Sequence, residues 1–181
     1  SLDQADFSPY GWVIFAGDQP NAYYSALSRN EVRLSQFVMD GGLLQMHLAT
    51  RGINLRLPAG ITAMDGNRET ENNILVPGHP ILQGLTGPLR GVNVSHGYFS
   101  NVPAGAQILT ESRISNQPTT ITYRFGRGDI LATTMTWEYL HRQSALNSQP
   151  LLGNAVQFIK SELGAAPPWL SLTPDSGMVA A

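Results

Sequence analysis

Apolar runs alternate with polar and glycine-rich stretches in the first third of the chain. Trp12–Ala16 form a continuous apolar run of β-forming residues, which is typical of a strand covered on both faces in a parallel sheet. Ser28 and Glu31 have the spacing of a capping box, and the apolar stripe after them predicts a helix that ends at Gly41-Gly42. Leu43–Met46 then predict a second buried strand, which completes a strand–helix–strand unit.

Later patterns predict loops, extended segments and one helix. Residues 51–73 mix glycine, proline and polar residues, which indicates an irregular surface segment. Residues 119–135 alternate apolar and polar side chains on both sides of Gly126–Gly128 and predict a β-hairpin. Residues 148–164 predict a last helix that ends at a glycine. The expected apolar face of this helix consists of Leu152, Val156, Ile159 and Leu163.

Composition and charge exclude several classes of function. The 181 residues are 42% hydrophobic and 13% charged, which supports a sizeable core. The net charge is -2 and there is no basic cluster, so we expect no nucleic-acid partner. The apolar runs are too short to span a membrane. Because the chain contains no cysteine, it has no disulfide, no zinc–thiolate site and no thiol nucleophile.

A change in composition divides the chain near residue 165. Pro167-Pro168 mark a linker. Residues 169–177 resemble the opening strand of the β-sandwich repeats that are common in secreted bacterial multidomain proteins. We therefore expect one α/β domain over residues 1–164, followed by a linker and the start of a β-sandwich module over residues 165–181.

An ordered set of segments resembles one family. In this order they are residues 10–18, 27–45, 77–85, 123–139 and 151–159. The set resembles class I glutamine amidotransferase-like domains, and it is most similar to the ThuA-like, non-amidotransferase branch and to modules of secreted bacterial proteins. The resemblance covers roughly residues 7 to 163. It implies a flavodoxin-like, three-layer α/β sandwich with a mainly parallel central sheet.

The start of the resemblance differs from the family pattern. Such domains usually have a further strand, helix and strand before the equivalent of residues 10–18, and these elements have no counterpart here. A sheet without that strand would have an exposed edge, which invites pairing with another chain. The resemblance therefore predicts that self-association through this edge is open to the chain.

The resemblance also implies where catalytic groups would lie. The family's catalytic cysteine stands on a sharp strand-to-helix turn, and that position falls on His47. Glu138 takes the place of the family's glutamate, whereas Thr136 falls where its histidine should be. An imidazole cannot form the glutamyl thioester, because that step needs a nucleophilic sulfur. We therefore expect no glutaminase activity.

Other roles remain open for this group of residues. Asp18, His47 and Glu138 each follow a predicted strand, and the carboxyl ends of parallel strands meet at the ligand-binding edge of an α/β sheet. The three side chains are candidates for a general base with an oriented histidine. The alternative is a structural histidine bonded to a loop carbonyl, with both acids in solvent.

Aromatic residues give a second set of candidates. Tyr98, Phe99, Trp137 and His96 lie in predicted loops or strand ends and could bind a carbohydrate or peptide, or simply pack. Glu138 and His141 have an ExxH spacing, but no second acid-rich helix is evident, so we expect no metal. The chain also lacks a GxSxG elbow, a dinucleotide fingerprint and a P-loop, and we expect no cofactor.

Together these observations favour a non-catalytic accessory domain, for binding or interaction, in a larger secreted or surface bacterial protein. The expected location is extracellular or at the cell surface, and the expected partners are other domains of the same polypeptide and a carbohydrate or peptide ligand. One alternative is a hydrolase-type or ThuA-like enzyme that acts on a carbohydrate-related substrate with His47 and either Glu138 or Asp18. The other alternative is a structural spacer.

Overall fold

One eight-stranded sheet organises the residues that the computed structural model describes, which are 2–49, 52–143 and 148–162. The strands are β1 (Trp12–Phe15), β2 (Leu43–His47), β3 (Leu55–Arg56), β4 (Thr62–Ile74), β5 (Leu89–Ser100), β6 (Gln107–Ser112), β7 (Pro118–Phe125) and β8 (Gly128–Thr133). The helices are α1 (Asn21–Arg29), α2 (Glu31–Met39), α3 (Trp137–Arg142) and α4 (Leu151–Glu162). A short 3-10 turn lies at Pro80–Leu82.

Parallel pairing is confined to one end of this sheet. The strand order is β1-β2-β8-β7-β6-β4-β3, and β5 also pairs with β4. Only the β1–β2 and β2–β8 ladders among the described strands are parallel. The prediction of a mainly parallel sheet is therefore wrong. The ladders among β3 to β8 are all antiparallel, and antiparallel neighbours can be joined without the long crossovers that parallel strands require.

Helices cover both faces of the parallel end, in agreement with the expected α/β sandwich. On one face, α1 and α2 pack Tyr24, Leu27 and Leu34 against β2 and β8. On the other face, α3 and α4 pack Trp137 and Ile159 against the same strands. All five residues of β2 are buried, because both of its faces are covered. Within the described residues, no helix combines the length and the apolar character needed to cross a membrane.

The first strand differs from its prediction. β1 was expected to be covered on both faces, but among the described strands it forms the edge of the sheet and pairs only with β2. Ile14 is 46% exposed, so the face of β1 that carries it is only partly covered. The edge position agrees with the exposed edge expected from the family resemblance, whereas the coverage of both faces that the apolar run predicted is not found.

The helical region contains two helices instead of one. Ser28 lies inside α1 and therefore cannot cap the following helix. Asn30 separates α1 from α2, and its side-chain amide donates to the carbonyl of Ala26. The stripe in α2 is correct for Leu34 and Val38, which are buried. The capping-box spacing was misleading because it joined the end of one helix to the start of the next.

The segment predicted as an irregular surface contains the longest strand. β4 has 13 residues and pairs with β3, β5 and β6. Its polar residues concealed the strand, since acidic and amide side chains are depleted in sheets. Asn72 is nevertheless fully buried and donates to the hydroxyl of Thr119.

The hairpin over residues 119–135 is confirmed. β7 and β8 pair antiparallel, and Phe125 lies opposite Gly128. Gly126 has a φ of 64° and its missing Cβ would lie 2.5 Å from the Cα of Met39, so this turn requires glycine for its backbone and for its close contact.

The last helix is present, but its buried face is shifted. The buried residues of α4 are Leu151, Ala155 and Ile159, whereas Leu152 and Val156 are only half-buried. Only Ile159 of the predicted face is therefore correct among the described positions. Leu163 and the predicted linker and β-sandwich strand at 165–181 lie outside the described residues.

The burial contrast between neighbouring strands predicts unequal costs of truncation. Leu44 in β2 is fully buried, so L44A should lower the free energy of unfolding by about 2–5 kcal/mol. I14A in the edge strand should cost roughly half of that or less, because much of this side chain is already in water. Urea denaturation of both variants measures the difference. Equal costs would contradict the partial exposure of Ile14.

Candidate functional site

Three chain segments meet at the carboxyl ends of the parallel strands. Asp18 follows β1, His47 is the last residue of β2, and Glu138 lies in the first turn of α3 after β8. Because β1, β2 and β8 are neighbours, their ends bring these segments to one edge of the sheet. His47 and Glu138 are in direct contact, and Asp18 and Glu138 line the same crevice.

His47 is fixed by hydrogen bonds at both ring nitrogens. Its Nδ1 lies 2.7 Å from Oε1 of Glu138, and its Nε2 lies 2.6 Å from the side-chain nitrogen of Gln45. A carboxylate accepts and an amide nitrogen donates, so the ring carries its proton on Nδ1 and accepts at Nε2. The ring packs edge-on against Trp137, with centroids 5.1 Å apart, and is 1% exposed. His47 is therefore closed off from any ligand in solvent.

Gly17 approaches this pair closely. Its backbone N–H donates to Oε1 of Glu138 over 2.9 Å. A Cβ at this position would lie 3.3 Å from both Oε2 of Glu138 and Cβ of His47. Glycine thus lets the end of β1 reach the carboxylate without displacing either side chain.

The Glu138 carboxyl is held in its ionised form. Burial by itself raises the pKa of this group, but the hydrogen bonds donated by the His47 ring and by the Gly17 amide lower that pKa by more. The net result is a pKa below the ordinary value for glutamate. The side chain remains 39% exposed, so a buried histidine presents a charged carboxylate towards solvent.

A crevice of about 190 Å³ lies in front of this carboxylate. Its lining residues are Asp18, Thr136, Glu138, Tyr139 and Arg142. Asp18 has a φ of 55°, a left-handed conformation that is uncommon outside glycine. The Arg142 guanidinium carbon lies 5.8 Å from the centre of the Tyr139 ring, which places a cation against an aromatic face.

The strained turn of a nucleophile elbow is absent from the described residues around His47. His47 pairs with Thr133 in the parallel ladder, and the amide of Leu48 donates to the Thr133 carbonyl. The described non-glycine residues with positive φ are Asp18, Ala59, Asn101 and Asn116. The position that carries the cysteine in the resembling family is thus an ordinary strand residue here.

The aromatic candidates are mostly buried. Phe99 and Trp137 are each 1% exposed and His96 is 4% exposed, whereas Tyr98 is half-buried. Tyr98 is therefore the only member of this set with a sizeable exposed surface, and the four do not form an open binding face. The other histidines are structural in their contacts: His79 accepts from the Ile81 amide, and His141 bonds to the Gln149 carbonyl.

Sequence reasoning missed three residues of the site. Gln45 stands two positions before His47 in β2, so both polar side chains occupy the same face of an otherwise apolar strand. Arg142 lies four positions after Glu138, on the same face of α3. These two spacings were visible in the sequence. The contact of Gly17 was not, because it depends on the distance between two strand ends.

No group of three histidine, aspartate or glutamate residues with metal-binding geometry occurs in the part of the chain that the structure describes.

Comparison with known proteins relates the chain to one sequence relative and to several solved structures. No family model matches it. An uncharacterized protein of Clostridium acetobutylicum is 25% identical over 170 residues, which span 90% of this chain and 17% of that protein. The chain thus corresponds to less than a fifth of the length of this relative.

Solved structures share the fold at low sequence identity. A cytoplasmic protein of Salmonella typhimurium has a TM-score of 0.55 and 16% identity over 87% of this chain and 74% of that one. A putative GMP synthase subunit of Thermoplasma acidophilum has a TM-score of 0.53 and 11% identity over 86% and 76%. A β-galactosidase of Rahnella sp. R3 has a TM-score of 0.53 and 18% identity over 88% of this chain and 24% of that one. These neighbours show that the chain shares their α/β fold. The amidotransferase-like family and its ThuA-like branch stay predictions.

The same neighbours correct the expected location. The resemblance predicted an extracellular or cell-surface protein. Two solved proteins with this fold, both from Salmonella typhimurium, are named cytoplasmic proteins. The prediction of an extracellular or surface location is therefore contradicted, because the fold on which it relied also occurs in proteins with that name.

The lowered pKa of Glu138 predicts a specific loss of stability in acid. A carboxyl whose pKa is lower in the folded than in the unfolded chain stabilises the fold above its unfolded pKa, near 4.5, and this contribution disappears as the pH falls through the folded pKa. Solvent screening keeps the effect modest, since the group is partly exposed. Urea midpoints from about pH 7 to about pH 3 should fall less steeply for E138Q than for the wild type. E162Q, which removes an exposed carboxylate, is the control, and equal slopes for E138Q and wild type would contradict the assignment.

The hydrogen bonds of His47 predict its tautomer. Nitrogen chemical shifts of the labelled ring at neutral pH should show the proton on Nδ1, because Nε2 faces the Gln45 amide nitrogen. Q45L should leave the Nδ1 proton in place, since the Glu138 contact remains. A proton on Nε2 in the wild type would show that the amide of Gln45 has the opposite orientation.

Proposed function

We propose that this chain is a non-catalytic accessory domain of a larger protein, that it binds a ligand at the crevice beside Glu138, and that it has no glutaminase activity. The observation that carries the proposal is the state of His47. It occupies the position of the family's nucleophile, but both ring nitrogens are bonded within the protein and the ring is buried.

The surroundings of Glu138 support a binding role. His47 and Gly17 hold one carboxylate oxygen in a fixed position, and the side chain reaches the crevice. A fixed, ionised carboxylate next to an arginine and a tyrosine is suited to bonding polar groups of a ligand. No cysteine is available to form a covalent intermediate with glutamine.

The accessory role is supported by two size relationships. The chain corresponds to 17% of its Clostridium relative and to 24% of the β-galactosidase chain that shares its fold. In both cases a unit of this size is one part of a larger polypeptide. Other domains of the same polypeptide are therefore the proposed partners.

A hydrolase is the second candidate. It is favoured by the presence of two carboxylates, Asp18 and Glu138, in one crevice, since paired carboxyl groups perform acid–base hydrolysis. Two features weigh against it. His47 cannot reach a substrate, and Glu138 is held ionised, which suits a base or nucleophile but provides no proton-donating acid. A purely structural spacer would need neither the crevice nor the fixed carboxylate.

Turnover assays distinguish these functions. The purified chain should release no ammonia from glutamine, because it has no cysteine. It should hydrolyse aryl glycosides and aryl esters no faster than buffer, because His47 is buried and the ionised Glu138 carboxylate provides no proton-donating acid. D18N and E138Q should give the same baseline. The matched control is D129N, which changes a carboxylate at the start of β8, away from the crevice. Hydrolysis that is lost in D18N and E138Q but kept in D129N would establish the enzyme instead.

A further inference from the structure

We infer that the crevice binds one neutral sugar ring through its hydroxyl groups. This inference rests on the proposed binding function and adds the chemical class of the ligand. It depends on three properties of the lining residues: the mixture of hydrogen-bond acceptors and donors, the balance of charge and the size of the space.

Hydrogen-bond acceptors occupy one part of the crevice. Asp18 and Glu138 contribute carboxylates. Oε1 of Glu138 is already bonded to His47 and Gly17, so Oε2 is the oxygen left to meet a ligand. The hydroxyl of Thr136 donates to the carbonyl of Asn93 and therefore faces other groups as an acceptor. Vicinal sugar hydroxyls are donors that match such a set.

Donors and an aromatic surface complete the lining. Arg142 supplies a guanidinium with several N–H groups, and Tyr139 supplies a ring and a phenolic hydroxyl. Tyr139 is half-buried, which leaves part of it available for contact with the apolar C–H groups of a sugar. A hydroxyl both donates and accepts, so a polyol can satisfy carboxylate and guanidinium groups at the same time.

The charges select against ionic ligands. An anion would meet the two carboxylates of Asp18 and Glu138, and a cation would meet the guanidinium of Arg142. The two carboxylates outnumber the single guanidinium, so an anion is repelled more strongly than a cation, but a cation is also repelled by Arg142 and loses part of its hydration. A neutral polar molecule gains from both sides without the cost of burying an ion.

The volume limits the ligand to a single ring. The space of about 190 Å³ is below the range of roughly 300–1,000 Å³ found for drug-sized ligands. A monosaccharide, or the terminal ring of a longer glycan, fits this limit. The carboxylate of Glu138 is also held in advance by His47 and Gly17.

Titrations of the isotope-labelled chain with three kinds of sugar test this inference. The probes are D-glucose, D-galactose and D-mannose as neutral rings, D-glucosamine as a cation and D-glucuronate as an anion, followed through backbone amide resonances. At least one neutral hexose should shift the resonances of Gly17, Asp18 and residues 136–142 with millimolar affinity. Both charged probes should bind more weakly than that hexose.

Variants assign the effect to the crevice. D18N and R142Q should each weaken hexose binding about tenfold, because each removes a charge-assisted hydrogen bond. D129N should bind like the wild type. E138Q is a further variant, but it also disturbs the buried His47. If E138Q unfolds, D18N and R142Q, which change exposed side chains, decide the test.

The possible outcomes separate this inference from the proposed function. Tighter binding of glucosamine or glucuronate than of every neutral hexose, localised to the crevice, would overturn the sugar-hydroxyl assignment and leave a binding domain. No shift in the crevice with any probe, or hexose shifts unchanged by D18N and R142Q, would also overturn it. Catalytic turnover dependent on Asp18 and Glu138 would overturn the non-catalytic function, whatever the sugar titrations give.

Discussion

The parallel pairing of β2 with β1 and β8 is the constraint on which the rest of the molecule depends. β2 is buried along its whole length, so helices must cover both of its faces and the chain must cross the sheet to build them. The same pairing aligns three strand ends at one edge. The layered core and the candidate site therefore have one cause, and the antiparallel remainder of the sheet extends from it through β7.

Gln45, His47 and Glu138 form a chain of hydrogen bonds within the apolar layer between the sheet and α3. Gln45 and His47 face the side of the sheet that contains Trp137, where unsatisfied polar groups are costly. Gln45 is hydrogen-bonded to His47, and His47 is hydrogen-bonded to Glu138. The two buried side chains are thereby connected to a carboxylate that contacts water. One polar atom of this group makes no hydrogen bond: Oε1 of Gln45 is buried without a partner among the described residues. Retaining such a group in a core is consistent with a role in fixing Glu138.

The sequence predicted those features that depend on local pattern. The apolar runs located β1 and β2, the glycine-centred turn located the β7–β8 hairpin, and the succession of strand ends brought Asp18 and Glu138 to one crevice. It failed where non-local pairing decides the outcome. β4 contains many polar residues and becomes a strand because three other strands pair with it, and the parallel character was overestimated because it came from the family resemblance. The burial of Phe99 and Trp137 likewise depends on packing from distant segments, which aromatic spacing alone does not reveal.

The extended backbone at His47 also limits what a single substitution at this position could achieve. In the resembling enzymes the nucleophile depends on a sharp turn as well as on a thiol. Here the strand continues in register with β8 through this position, and the side chain is enclosed by Gln45, Glu138 and Trp137. A codon change to cysteine would supply the thiol and neither the turn nor the access. Acquiring amidotransferase chemistry would therefore require several coupled changes around the end of β2, and a single substitution would not suffice.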